Sequence, residues 1–267
     1  MNEAHSVRQS QALVENMRSG GFAIGSWIST VSPVVAELMA GAGFDFLTID
    51  AEHSMADYLQ VQQILQGIAA ANPNCAGLVR TPGRGYDEIK RYMDAGAQGV
   101  IVPLVTHEDQ AREVVRAVKY PPEGERGVGY CRDNQYGMNL EERVGCSNDK
   151  TFVCIQIEHT EAIRRIDSIL SVTGVDAIII GPYDLSASLG CTADFHHPDF
   201  LAAKKTVLEA CIRHGIAAGI HVVQPDPEQM LQAHDEGYRF LAYSLDITML
   251  NASCRAGLQT VRSRISG

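Results

Sequence analysis

Acids, imidazoles and one arginine recur at corresponding places along this 267-residue chain, each at the end of a short apolar run. Asp50-Ala51-Glu52-His53 follows one run, and Arg80-Thr81-Pro82 closes the next. Further on, Gln156-Ile157-Glu158-His159 and Gly181-Pro182-Tyr183-Asp184 follow two successive runs. Two carboxylates, Glu158 and Asp184, with water and substrate oxygens completing an octahedron, suit Mg2+ or Mn2+. The competing use of Asp184 is as an N-cap ahead of Leu185-Ser186. His53 stands three residues after Asp50, the spacing of a base whose basicity a carboxylate raises; the competing reading is a loop histidine bonded to backbone. Arg80 ends an otherwise apolar run, where an unpaired guanidinium is costly. It must face an anion: a substrate carboxylate, a developing enolate, or an acid of the protein such as Asp94.

What is missing narrows the chemistry. Lys90, Lys119, Lys204 and Lys205 fall in helical patterns and Lys150 just ahead of a strand, so none is placed to form an imine with substrate. The segments Gln224-Pro225-Asp226-Pro227 and Ser244-Leu245-Asp246 lack the Gly-rich amides of a phosphate cradle. His196 and His197 read as a solvated loop, and His5, His107, His214 and His234 as terminal or helical surface. Seven scattered cysteines with no C-x-x-C pair suggest neither a disulfide framework nor a zinc ribbon, and reduced thiols imply the cytoplasm. A formal net charge of −10 argues against nucleic acid or an anionic membrane as partner. The polar N-terminus has no secretory core, and no apolar run reaches membrane-spanning length.

The elements that must carry these residues follow from hydrophobic period. Apolar runs at 22–27, 45–49, 76–80, 99–102, 151–157, 177–180, 217–222 and 240–243 predict strands. Between them, 33–42, 59–71, 86–95, 108–119, 161–170, 199–214 and 226–236 have the three-and-four spacing of amphipathic helices. Eight strand–helix units predict a single α/β domain over 1–267, a (β/α)8 TIM barrel with its site at the C-terminal ends of the strands. An open doubly wound sheet would show G-x-G-x-x-G after the first strand, and residues 22–30 have no such pattern. The stretch 121–150 reads as one long loop.

Several longer motifs then occur in order: Ser32-Pro33 with Glu37, Ala42 through His53, Arg80-Thr81-Pro82, Asp94-Ala95-Gly96, Tyr120 through Gly129, Gln156-Ile157-Glu158 and Gly181 through Ser186. Together they resemble the class II pyruvate-dependent aldolases of the 4-hydroxy-2-oxoheptanedioate aldolase type, over roughly residues 25–246. The resemblance implies a barrel of the phosphoenolpyruvate/pyruvate superfamily, a homo-hexamer or trimer with the C-terminal helix exchanged between subunits. It implies a divalent metal (Mg2+, Mn2+ or Co2+) on Glu158 and Asp184, and His53 as proton acceptor. Asp50 and Asp94 would be acidic residues near that base, with Asp94 raising its basicity, and Arg80 would stabilise the transition state. Gln156, Pro182, Tyr183 and Asp184 would bind the 2-oxo acid, with Trp27 and His221 completing the substrate set.

The implied reaction is reversible cleavage of a 4-hydroxy-2-oxo acid into pyruvate, or a close 2-oxo acid, and an aldehyde. Oxaloacetate decarboxylation, or acyl-CoA lysis using Arg84, Arg126 and Arg132, would use the same site, and an oxo-acid-binding barrel is the non-enzymatic alternative. Three positions depart from the pattern: His221 where an apolar residue is expected, Ser244 in place of Gly, and His159 in place of Ser or Thr.

Overall fold

The computed structural model describes residues 5–265; residues 1–4 and 266–267, part of the expected domain, lie outside the described residues. In chain order the elements are α1 (His5–Arg18), β1 (Ala23–Ile28), α2 (Pro33–Gly41), β2 (Phe46–Asp50), α3 (Tyr58–Ala71), β3 (Ala76–Arg80) and α4 (Tyr86–Asp94). There follow β4 (Gly99–Val102), α5 (Glu108–Val118), a 3-10 segment (Arg132–Gly137), α6 (Leu140–Lys150), β5 (Phe152–Ile157), α7 (Thr160–Arg164) and α8 (Ile166–Leu170). The last are β6 (Ala177–Ile180), α9 (Pro182–Ser188), α10 (Pro198–His214), β7 (Ala217–Val222), α11 (Pro227–Glu236), β8 (Phe240–Leu245) and α12 (Asp246–Ile265). The eight strands pair in parallel in sequence order and β8 closes on β1, giving the expected (β/α)8 barrel.

The period of two along each strand divides its side chains between two cores. Val79, Val153, Ile155, Ile178 and Ile180 pack outward under the helices. Phe46, Leu78, Phe152, Cys154, Ile179 and Phe240 fill the barrel interior. Phe46 stacks on Phe240 at 4.2 Å between ring centroids. Gly25 makes room for this: a Cβ there would lie 2.3 Å from the Phe46 ring. Continuing each inward row towards the strand's C-terminal end gives Asp50, Arg80, Gln156 and His221. The alternation that fills the interior with apolar groups therefore also brings the polar ones to one rim.

Helix α1 seals the other end, with Leu13, Val14 and Met17 joining the interior cluster. Arg18 at its end pairs with buried Asp176 at 2.8 Å. α1 packs on α6, which lies inside the stretch 121–150 expected to be one long loop. The helix was invisible to apolar periodicity because the α6 residues turned inward are Arg143 and Ser147. The expected helix 161–170 is broken at Arg165 (φ −109°, ψ 16°) into α7 and α8. β8 runs two residues further than expected, through Ser244 at φ 51°, the left-handed region where glycine is at ease. α12 leaves the barrel with residues 251–265 all exposed, Leu258, Val261 and Ile265 among them.

Candidate active site

A cleft of about 420 Å³ opens at the C-terminal ends of the strands. Trp27, Asp50, His53, Arg80, Gln156, Gly181, Pro182, Tyr183, Asp184 and His221 all line it. Each comes from the end of a strand or the loop just beyond it, where barrels of this kind place their chemistry.

Arg80 and Asp50 are register partners on the paired strands β3 and β2. The guanidinium meets the carboxylate in a bidentate fork, Nε donating to Oδ1 at 2.9 Å and Nη2 to Oδ2 at 2.7 Å. Asp50 Oδ1 also accepts from the backbone N–H groups of Glu52 and His53, both at 3.1 Å. Burial alone would raise the Asp50 carboxyl, but Arg80 and these amides outweigh it and hold the pKa below its usual value. The Arg80 guanidinium lies 4.5 Å from the centroid of the Trp27 ring and 3.1 Å from Glu52 Oε2 through Nη1. It is thereby fixed on three sides.

This corrects the expected service of Asp50 to the His53 imidazole. Both oxygens of Asp50 are committed to Arg80 and the backbone, and the carboxylate near the imidazole is that of Glu52, 3.9 Å from Nε2. Glu52 is the residue the sequence reading passed over, although it stands in the same tetrapeptide. Burial pushes its carboxyl up to about 6 against the opposing charge of Arg80, with Glu158 adding to the rise. The His53 side chain is exposed at the cleft edge.

Asp94 is not brought to the cleft of this chain. It lies in the last turn of α4, and each helix of such a barrel returns the chain to the N-terminal end of the next strand, away from the site. Its carboxylate accepts from Arg126 at 2.8 Å. Arg126 is fully buried against Asp94 and Asp133, Arg132 donates to the Ala95 carbonyl, and Arg84 pairs with Glu113. The three arginines considered for a CoA ester are thus committed elsewhere.

On the β5–β6 side, Glu158 is buried behind Gln156, its Oε1 accepting from the Leu104 amide at 2.6 Å and its Oε2 from Gln156 Nε2. Burial raises its carboxyl despite these bonds, and the charge of Asp184 raises it further. Asp184 does not cap its helix, because Gly181 holds the N-cap position of α9 and Asp184 sits inside the first turn, exposed. Gly181 gives Glu158 room, since a Cβ there would lie 2.9 Å from Glu158 Oε2. Among the described residues no group of three or more His, Cys, Asp or Glu could hold a metal. An ion here would rest on two carboxylates and on oxygens from elsewhere. The donor set fits a hard divalent cation, whose charge would offset the burial and the Asp184 repulsion that raise Glu158.

The β7–β8–β1 side is more apolar. The His221 ring stacks on Trp27 at 5.2 Å and 30°, and its Nε2 lies 3.0 Å from the Ser244 carbonyl. Trp27 Nε1 is a buried donor with no hydrogen-bond partner among the described residues. Asp246, another acid at this rim, is structural: it accepts from the Ser29 and Thr30 amides and from Thr30 Oγ1 at 2.6 to 3.1 Å.

Residues 23–252 match the family model described as HpcH/HpaI aldolase/citrate lyase. A hydroxypyruvate/pyruvate aldolase of Roseobacter denitrificans is 38% identical over 238 residues, covering 88% of this chain and 91% of that protein. A 4-hydroxy-2-oxo-heptane-1,7-dioate aldolase of Shigella boydii is 38% identical over 242 residues, covering 90% of each. The crystal structure of a family member from Burkholderia cenocepacia superposes with a TM-score of 0.90 at 35% identity, covering 94% of this chain and 99% of that one. The cleft, the motifs and these likenesses agree: this chain is an aldolase-type lyase and belongs to the HpcH/HpaI aldolase/citrate lyase family.

Proposed function

We propose that this chain is a divalent-metal-dependent aldolase that reversibly cleaves a 4-hydroxy-2-oxo acid into an aldehyde and pyruvate or hydroxypyruvate. The observation that carries the reading is one cleft lined by a clamped arginine, an accessible histidine, Gln156 and the Asp184 carboxylate, with buried Glu158 accepting a hydrogen bond from Gln156. The names of the relatives support the two 2-oxo acids.

Glu158 and Asp184 would hold Mg2+ or Mn2+, which as a Lewis acid makes the protons on C3 of a 2-oxo acid easier to remove. Gln156 and the first turn of α9, Pro182 to Asp184, orient the oxo acid. Arg80, held in place by the Asp50 fork, balances the negative charge that develops on the 2-oxo oxygen, at no cost in reorganisation. His53 takes the C3 proton in synthesis; in cleavage it takes the proton of the C4 hydroxyl, releasing the aldehyde. Glu52, beside both His53 and Arg80, keeps the imidazole near this path. Asp94 could serve the base only from another subunit.

One barrel domain spanning 1–267, assembled as a homo-oligomer through α12, completes the proposal; the exposed apolar side chains of that helix support it. No described helix is long and apolar enough to cross a membrane. Seven free cysteines support a cytoplasmic setting. The test is deuterium exchange into the methyl group of pyruvate, followed by proton NMR with Mg2+ or Mn2+ and then with EDTA. Metal-dependent exchange is expected; its absence with every divalent metal would remove pyruvate as the nucleophile.

A further inference from the structure

Barrel order divides the cleft into two halves. β5 and β6 carry Gln156, Glu158 and the turn Gly181 to Asp184, the half assigned above to the oxo acid. β7, β8 and β1 carry the other half, where Val223, Leu245 and Ile247 are apolar and His221 is the only titratable side chain among the lining residues. We propose that His221 is a specificity-determining residue, its bare Nδ1 accepting a hydrogen bond from a hydroxyl on the aldehyde. The inference rests on the aldolase reading and adds to it the class of aldehyde: 2-hydroxyaldehydes over alkyl aldehydes of equal size.

Three observations fix the state of the ring. Nε2 lies 3.0 Å from the carbonyl oxygen of Ser244, and a carbonyl oxygen only accepts, so Nε2 carries a proton. Burial keeps the imidazole neutral, lowering its pKa to about 4 against the favourable bond to Ser244, with the charge of Arg80 lowering it further. A neutral imidazole with Nε2–H has an unprotonated Nδ1, and among the described residues that nitrogen has no hydrogen-bond partner. The ring cannot readily turn to exchange its nitrogens, because it stacks on Trp27, whose own face is held by Arg80.

The backbone is built to hold this tautomer. Ser244 sits at φ 51°, where the register between β1 and β8 shifts, and its hydroxyl donates to the Val223 carbonyl at 3.0 Å. That conformation is costly for a residue with a Cβ, and here it aims the Ser244 carbonyl at Nε2. A hydroxyl can donate to Nδ1, whereas the methyl that replaces it in an alkyl aldehyde would leave that nitrogen unpaired.

The test compares kcat/KM for addition of pyruvate to glycolaldehyde and to propionaldehyde, which differ by a hydroxyl for a methyl. The ratio of the two is measured in the wild type, His221→Leu, His221→Phe and His221→Gln. Because both values come from one preparation, loss of folded protein lowers both and leaves the ratio unmoved. We expect the ratio to fall about ten-fold in His221→Leu and in His221→Phe, which keeps the stacking and removes both nitrogens, and to recover partly in His221→Gln. A ratio unchanged in whichever of the Leu and Phe variants retains turnover overturns the inference while leaving the aldolase reading intact. A wild type with neither methyl exchange nor addition to either aldehyde sinks both.

Discussion

Gly181→Ala is a small change at the most crowded point of the site. The backbone there (φ −85°, ψ 95°) is open to any residue, so the substitution adds no backbone strain and acts through space alone. The new Cβ would lie 2.9 Å from Glu158 Oε2, 3.1 Å from Glu158 Cβ and 3.3 Å from Gln156 Nε2. Relief requires a retreat of about half an ångström by a carboxylate tied at both oxygens, to Leu104 and to Gln156. Such overpacking costs about 1–3 kcal/mol, and each kcal/mol lowers Tm by about 2–4 °C in a protein of this size. Displacement of a positioned group by about 1 Å costs about 100-fold in rate. The variant should remain folded, bind Mn2+ about ten-fold more weakly by calorimetric titration, and, at half that displacement, lose about ten-fold in methyl exchange. A folded Gly181→Ala protein with wild-type Mn2+ affinity and exchange would refute Glu158 as a ligand.

Asp50→Asn should break the fork on Arg80, and removing one partner of a pair this buried costs about 3–5 kcal/mol in thermal unfolding, with methyl exchange falling alongside. Asp184→Asn should remove metal affinity without lowering Tm, since the side chain is exposed, whereas His53→Ala should spare metal and pyruvate binding and slow exchange; calorimetry and NMR separate the two. His221 makes stability fall as pH drops from 6.5 to about 4, because across that window the unfolded chain binds the proton and the folded chain refuses it. The slope approaches about 1.4 kcal/mol per pH unit, and His221→Phe should flatten it in urea unfolding. Glu52 works in the opposite sense, contributing stability at low pH that is lost as pH rises from 4.5 through about 6. Deleting residues 251–267 should lower the sedimentation coefficient to that of the monomer, and an unchanged value would remove α12 as the assembly element.

The eight strands and their order were legible because burial on both faces of a parallel sheet leaves long apolar runs, and the period of two made Asp50, Arg80, Gln156 and His221 share a rim. α6 was not legible, since Arg143 and Ser147 replace the apolar stripe that announces a helix. Nor could spacing along the chain choose partners. Asp50 and His53 are three residues apart, yet the Asp50 carboxylate turns to Arg80, thirty residues away, because β2 and β3 pair with these two residues side by side. That leaves Glu52 beside the imidazole and takes Asp94 out of reach at the end of a returning helix. The sequence alone determined which side chains reach the rim, through the alternation of each strand. Which of them touch was decided only by the pairing of the strands, because strand register sets distances that the intervening loops and helices do not encode.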